Sequence, residues 1–189
     1  MINKKLFLNE NIFIFIKNFV VLLILTSSQS IPVFSQSIDA DERSLGVAQA
    51  VFGIVSYTRW PNEPSTIRLC VVGPTKYTDE VMKGAQLSGD RKVLVRRISL
   101  DDPSLSTQCE GVYIGAISSN VWQEVVNRFA GQPLLTISEQ TALCSIGSMF
   151  CLNVRPDTVA FEVNLDSVAR SGVRVNPRVL QLARRKGGP

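Results

Sequence analysis

Residues 144–177, CSIGSMFCLNVRPDTVAFEVNLDSVARSGVRVNP, hold the reading on which the fold turns. Residues 150–154 and 159–163 are short β-like runs, and Pro156-Asp157 between them is a turn signal, so the pair reads as two joined strands. Asn164 is then suited to cap a helix over 165–170, which Ser171-Gly172 stops. Asn176-Pro177 opens a last helix, predicted over 178–185, with Val179, Leu182 and Ala183 on one face. Two of the chain's four cysteines, Cys144 and Cys151, clip the front of this strand, strand, helix, helix unit.

Upstream, the pattern alternates. Residues 45, 47, 48, 51, 52 and 55 are apolar at helical spacing, which predicts a helix to about Tyr57 after a polar lead-in over 39–43. Pro61 pushes Trp60 out of the α region and ends it. Gly46 and Gly53 lie two turns apart on one face and admit a close neighbour, either a partner chain or the protein's own sheet. A strand over 67–73, a short helix over about 75–84, a strand over 93–98 and a glycine-bounded strand over 111–115 follow. A helix over 118–129 precedes a strand over 134–137. Strands alternating with helices predict a single α/β domain, with a mixed, largely parallel sheet covered by helices on both faces.

The 189 residues are 45% hydrophobic and 19% charged, ordinary for one globular domain. The N-terminus differs. Lys4, Lys5 and Lys17 precede the apolar run 19–25, and small residues lead to Val33-Phe34-Ser35, the pattern of a cleaved secretory signal over 1–35. The run falls short of the roughly 20 apolar residues a membrane span needs. The mature chain, 36–189, then carries 17 basic and 15 acidic side chains. Its basic cluster, 184–186, sits at the C-terminus as a solvated tail, and no clustered basic face for nucleic acid emerges.

Four cysteines in an exported chain predict two disulfides. Three pairings are open. Cys144 and Cys151 are close enough to close a short loop in which Gly147 supplies the turn, which leaves Cys70 for Cys109.

There is no histidine, which removes Ser-His-Asp and Cys-His catalysis and histidine metal sites. Nucleophile elbows, phosphate loops and dinucleotide fingerprints are absent as well. The chain reads as a binding protein rather than an enzyme, with no cofactor. Arg59 with Trp60, Glu162, Arg170 and Arg174 are the candidate contact groups: arginine and tryptophan are the side chains most enriched in binding hot spots, and Glu162 in its alternating strand faces away from the core. Two other classes stand beside this one. One is a small-ligand module with a pocket at Arg59, Trp60 and Arg174; the other is a thiol-disulfide enzyme, which needs an exposed thiol of low pKa.

Several stretches are also similar to one family: GIVSYTRWP (53–61), LCVVGP (69–74), the segment from Cys144 to Cys151, and above all FEVNLDSVARSGV (161–173). They resemble YfiR, a family of periplasmic repressors of Gram-negative bacteria, over nearly the whole of 36–189 and with all four cysteines. The resemblance implies a dimeric regulator, with the cysteines paired as above, that binds the periplasmic sensor region of YfiN, an inner-membrane diguanylate cyclase, and holds it inactive. It further implies that YfiB, an outer-membrane lipoprotein, sequesters the regulator, whereupon cyclic di-GMP rises and favours biofilm.

Overall fold

The computed structural model describes residues 35–183. The expected signal segment, apart from Ser35, and the basic tail lie outside the described residues.

Helix α1 (Ser35–Tyr57) comes first, then the strands β1 (Thr58–Arg59), β2 (Thr66–Val72), β3 (Ala85–Gln86) and β4 (Lys92–Arg97). Helix α2 (Leu105–Gln108), β5 (Gly111–Ile114), α3 (Ser119–Arg128) and β6 (Leu135–Ser138) follow. A 3-10 segment, Thr141–Ile146, leads to β7 (Phe150–Val154), β8 (Val159–Val163), α4 (Leu165–Arg170) and β9 (Arg174–Val175). A 3-10 turn, Pro177–Val179, runs into α5 (Leu180–Ala183).

Seven strands form one sheet in the order β3-β4-β2-β5-β6-β7-β8, while β1 and β9 make a separate two-stranded ribbon. The inner pairs β4-β2, β2-β5, β5-β6 and β6-β7 are parallel, and the outer pairs β3-β4 and β7-β8 antiparallel. The expected mixed, largely parallel sheet is therefore present.

The period of two along each strand divides the buried residues between two faces. Ile67, Leu69 and Val71 of β2, Tyr113 of β5, Ile137 of β6 and Phe150 and Leu152 of β7 pack with Val47, Val51 and Ile54 of α1. Cys70, Val72, Val112 and Ile114 point the other way, into a second core with Leu105 of α2, Trp122 and Val125 of α3, and Phe129 just after it. Such an all-apolar strand belongs inside a sheet covered on both faces. Both disulfides have the expected pairing, Cys70–Cys109 and Cys144–Cys151.

The two glycines of α1 meet the protein's own core. A Cβ on Gly46 would lie 2.9 Å from Val159 Cγ2, and one on Gly53 2.7 Å from Leu182 Cδ1. They let β8 and α5 approach the helix.

Two expectations need correction. The polar segment 39–43 is no lead-in but part of α1, which begins at Ser35; alanine, glutamate and arginine there are good helix formers. The helix expected over about 75–84 is instead a looped segment with one 3-10 turn, Val81–Lys83. Tertiary partners take its backbone groups: the Glu139 carboxylate accepts from the N–H groups of Lys76 (3.0 Å) and Tyr77 (3.1 Å), and Ser44 Oγ accepts from the N–H of Glu80 (3.0 Å). With these three donors satisfied from 36 to 63 residues away, the segment has no need of a continuous helix.

Candidate partner-binding surface

The candidate contact groups distribute over three places. Arg59 and Arg174 come together. The chain leaves α1 at Tyr57 and runs into β1, which pairs antiparallel with β9 in the register Thr58↔Val175 and Arg59↔Arg174. The N–H of Asn176 extends the pairing by donating to Tyr57 O at 2.9 Å. Thr58 is fully buried and donates its hydroxyl back to Ile54 O, at 2.9 Å, which anchors the ribbon to the helix end.

Arg59 Nη1 donates to Ser56 O (2.7 Å) and Thr58 O (2.9 Å). Arg91, which the sequence did not single out, donates to the same two carbonyls, at 3.0 and 3.3 Å. Two guanidinium groups thus occupy the carbonyl end of a long helix, where its dipole favours cations. Burial first, and then the neighbouring Arg59 charge, pull the Arg91 pKa below its usual value, with Glu63 acting the other way. Arg174 stands opposite Arg59, and like charges directly across a strand pair repel. Both are exposed, and neither has a carboxylate at ion-pair distance among the described residues. The ribbon therefore presents two cations without a carboxylate partner among the described residues.

Trp60, beside them in sequence, is core: it is 3% exposed and its indole N–H donates to Glu110 O at 2.8 Å. The Glu110 carboxylate accepts from Arg68 Nη2 (2.6 Å), Arg68 Nε (3.0 Å) and the Arg68 backbone N–H (2.6 Å). The same bonding raises the Arg68 pKa, against the opposing effect of burial. Trp60 thus ties the ribbon to the start of β5 and offers no outer face. Glu110, a charge set directly before the apolar run of β5, was the one signal in the sequence for this network.

Glu162 and Arg170 belong to the β8-α4 segment. Glu162 is exposed on β8, opposite Cys151 in register. Arg170, also exposed, lies at the end of α4 on the rim of a groove of about 640 Å³ between α3, the 3-10 segment and α4. Trp122 and Val126 of α3, with Phe129 that follows the helix, line its apolar part. The groove includes none of Arg59, Trp60 and Arg174.

Asn164 couples the short disulfide loop to α4. Its Oδ1 accepts from Ser167 N (2.9 Å) as the helix cap, and its Nδ2 donates to Cys144 O (2.6 Å). Asn164→Ala loses both bonds and is expected to cost about 1–2 kcal/mol. Asn164→Ser keeps a capping acceptor and loses only the link to the loop. Thermal melts with amide exchange across 141–147 check this: the serine variant should melt closer to the unsubstituted protein but exchange faster in the loop.

The groups present suit recognition. All four cysteines are bridged, and no cluster of metal-ligating side chains occurs among the described residues. Compared with known families, residues 46–184 match the one described as YfiR/HmsC-like. The match covers well over half of the chain and includes both disulfides and every candidate contact residue.

Proposed function

The chain belongs to the YfiR/HmsC-like family, and from that premise we propose that it is a periplasmic negative regulator of a YfiN-like diguanylate cyclase. It binds the sensor region of the cyclase on the periplasmic side of the inner membrane and keeps the enzyme inactive, which lowers cyclic di-GMP and biofilm formation. A YfiB-like outer-membrane lipoprotein sequesters it and so releases the cyclase. The regulator works as a homodimer and by binding alone.

The family match carries this reading. The coarser part, membership of a regulatory rather than a catalytic family, follows from it directly. Two disulfides support an oxidising compartment, and no helix among the described residues is long and apolar enough to cross a membrane. Export by a signal segment over 1–35, with a mature domain over 36–189, completes the proposal; N-terminal sequencing of the periplasmic protein checks a start near Gln36.

The contact surface we assign is the cationic ribbon of Arg59 and Arg174, with Glu162 and Arg170 on the β8-α4 segment and Trp60 as the buried anchor beneath the ribbon. Deleting the gene should raise cyclic di-GMP, and deleting the cyclase gene as well should abolish the rise. If the rise survives loss of the cyclase, the reading fails. Arg59→Glu/Arg174→Glu should weaken the complex with the cyclase's periplasmic region at least tenfold, as charge reversal at a hot spot does. Protein levels should fall little, because both side chains are exposed and Arg91 still donates to the two carbonyls that Arg59 leaves. Cyclic di-GMP measured alongside an immunoblot separates lost affinity from lost protein.

A further inference from the structure

The seven-stranded sheet ends on one side in β3, which has two residues, and on the other in β8, which has five. Edges of that second length are usually blunted by lysine, proline or a bulge. β8 has none of these: VAFEV pairs with β7 in five consecutive register positions, from Val154↔Val159 to Phe150↔Val163.

The direction of its backbone groups follows from the ends of that ladder. Asn164 N donates to Met149 O and Arg155 N to Thr158 O, both at 2.9 Å. In an antiparallel pair, hydrogen-bonded positions alternate. Ala160 and Glu162 therefore bond inward to β7, and the N–H and C=O groups of Val159, Phe161 and Val163 point out from the edge. Among the described residues nothing bonds to them.

The two faces beside this edge differ. Val159, Phe161 and Val163 turn their side chains toward α1, and there a groove of about 350 Å³ runs between Gly46 and Ala50 of α1, Val159 and Phe161 of β8, and Leu182 of α5. The groove leaves room for aliphatic side chains. On the opposite face the one charge of β8 is the exposed Glu162.

We propose that the outer edge of β8 is a strand-docking site, which takes an extended segment of another protein as an eighth, antiparallel strand. Its occupant has aliphatic residues at alternate positions, seated in the groove, and lysine or arginine between them, on the side of Glu162. Main-chain bonds to Val159, Phe161 and Val163 supply affinity, and the alternation supplies specificity. The site goes beyond the regulatory reading and stands without it, since neither outcome of the test depends on which protein supplies the segment.

The probe is an end-blocked octapeptide alternating valine and lysine, titrated into the purified protein. In the free protein the amides of Val159, Phe161 and Val163 should exchange fast, and the peptide should slow them while leaving Ala160 and Glu162 unchanged. Antiparallel geometry puts the peptide's bonding amides on the residues that face the groove. N-methylation of the valines should therefore abolish binding, and N-methylation of the lysines should leave it. Val163→Pro removes an outward donor and no bond to β7, so it should bind at least tenfold more weakly while the amides of Ala160 and Glu162 stay as protected as in the unsubstituted protein. The proposal is overturned if the outward amides are already protected in the free protein, if both methylated peptides bind alike, or if Val163→Pro binds as the unsubstituted protein does. A concentration-dependent dimer lost in Val163→Pro would give the edge to a second copy of the chain and equally overturn it.

Discussion

Cys70→Ala/Cys109→Ala is expected to accumulate poorly and to melt far below the unsubstituted protein, while Cys144→Ala/Cys151→Ala stays close to it. The first bridge spans 39 positions and the second 7. In the chain-entropy account the long loop contributes roughly 4 kcal/mol and the short one roughly 2.5 kcal/mol, and removal of a native disulfide costs about 2–5 kcal/mol. Location widens the difference. Cys70 and Cys109 are 0% and 3% exposed and sit in the core beneath α3, with Cys70 in β2, an inner strand of the sheet. Losing them removes packing as well as the cross-link, and the total is a large fraction of the 5–15 kcal/mol by which domains are stable. Cys151 is as buried as Cys70, but its partner Cys144 is only half-buried, and the loop they close is also held by Asn164 through Cys144 O. Its effect should appear in affinity for the cyclase, because Cys151 lies opposite Glu162 in the ladder. Periplasmic levels and melts of the two double variants decide: a short-loop variant less stable than the long-loop one would sink this division.

The segments legible in the sequence are those whose causes are local. β7 and β8 occupy the two runs read from alternation around Pro156-Asp157, and α4 starts after the Asn164 cap and stops before Gly172, whose φ is +73°. Gly147, expected to turn the short disulfide loop, has a φ of +115°. Where the causes are distant the reading fell short. The loop after β2 is held by Glu139 and Ser44, and no pattern within the loop announces either. The β1-β9 ribbon has two residues on each side, brought together across the length of the chain, so neither strand shows a period.

The contact residues show the same limit. Composition marks Trp60 as a hot-spot type, and only the fold reveals that its indole is spent on Glu110 O inside the core. Arg59 and Arg174 are 115 positions apart, and nothing in either stretch pairs them. Arg91 sits in a connection with no periodicity, so its place at the α1 carbonyls had no signal at all.

Gly115→Ala should be the most damaging single methyl in the chain, and the reason bears on what the fold is used for. Taken alone, the parallel strands run β4-β2-β5-β6-β7, the doubly wound order that reverses between β2 and β5. In open α/β sheets the crevice beyond the strand ends at such a reversal is where ligands bind. Here it is closed. Gly115 N donates to Val72 O (2.9 Å) and Ala116 N to Pro74 O (2.6 Å). Tyr113, fully buried with its pKa raised by that burial, donates its hydroxyl to Glu139 Oε1 at 2.8 Å, and Glu139 in turn holds the loop after β2. A Cβ on Gly115 would stand 1.9 Å from Pro74 O, so the backbone itself has to move and both loop bonds are disturbed. A loss on the order of 3 kcal/mol follows, as for an overpacked core. Gly53→Ala is the control. Its Cβ meets only the end of the Leu182 side chain, and alanine gains up to about 1 kcal/mol in a helix, so the two effects nearly offset. Denaturant melts should show a large drop for Gly115→Ala and little change for Gly53→Ala. A Gly115→Ala protein as stable as the control would mean that the β2 and β5 loops part easily, and the reversal point would then return as a ligand crevice.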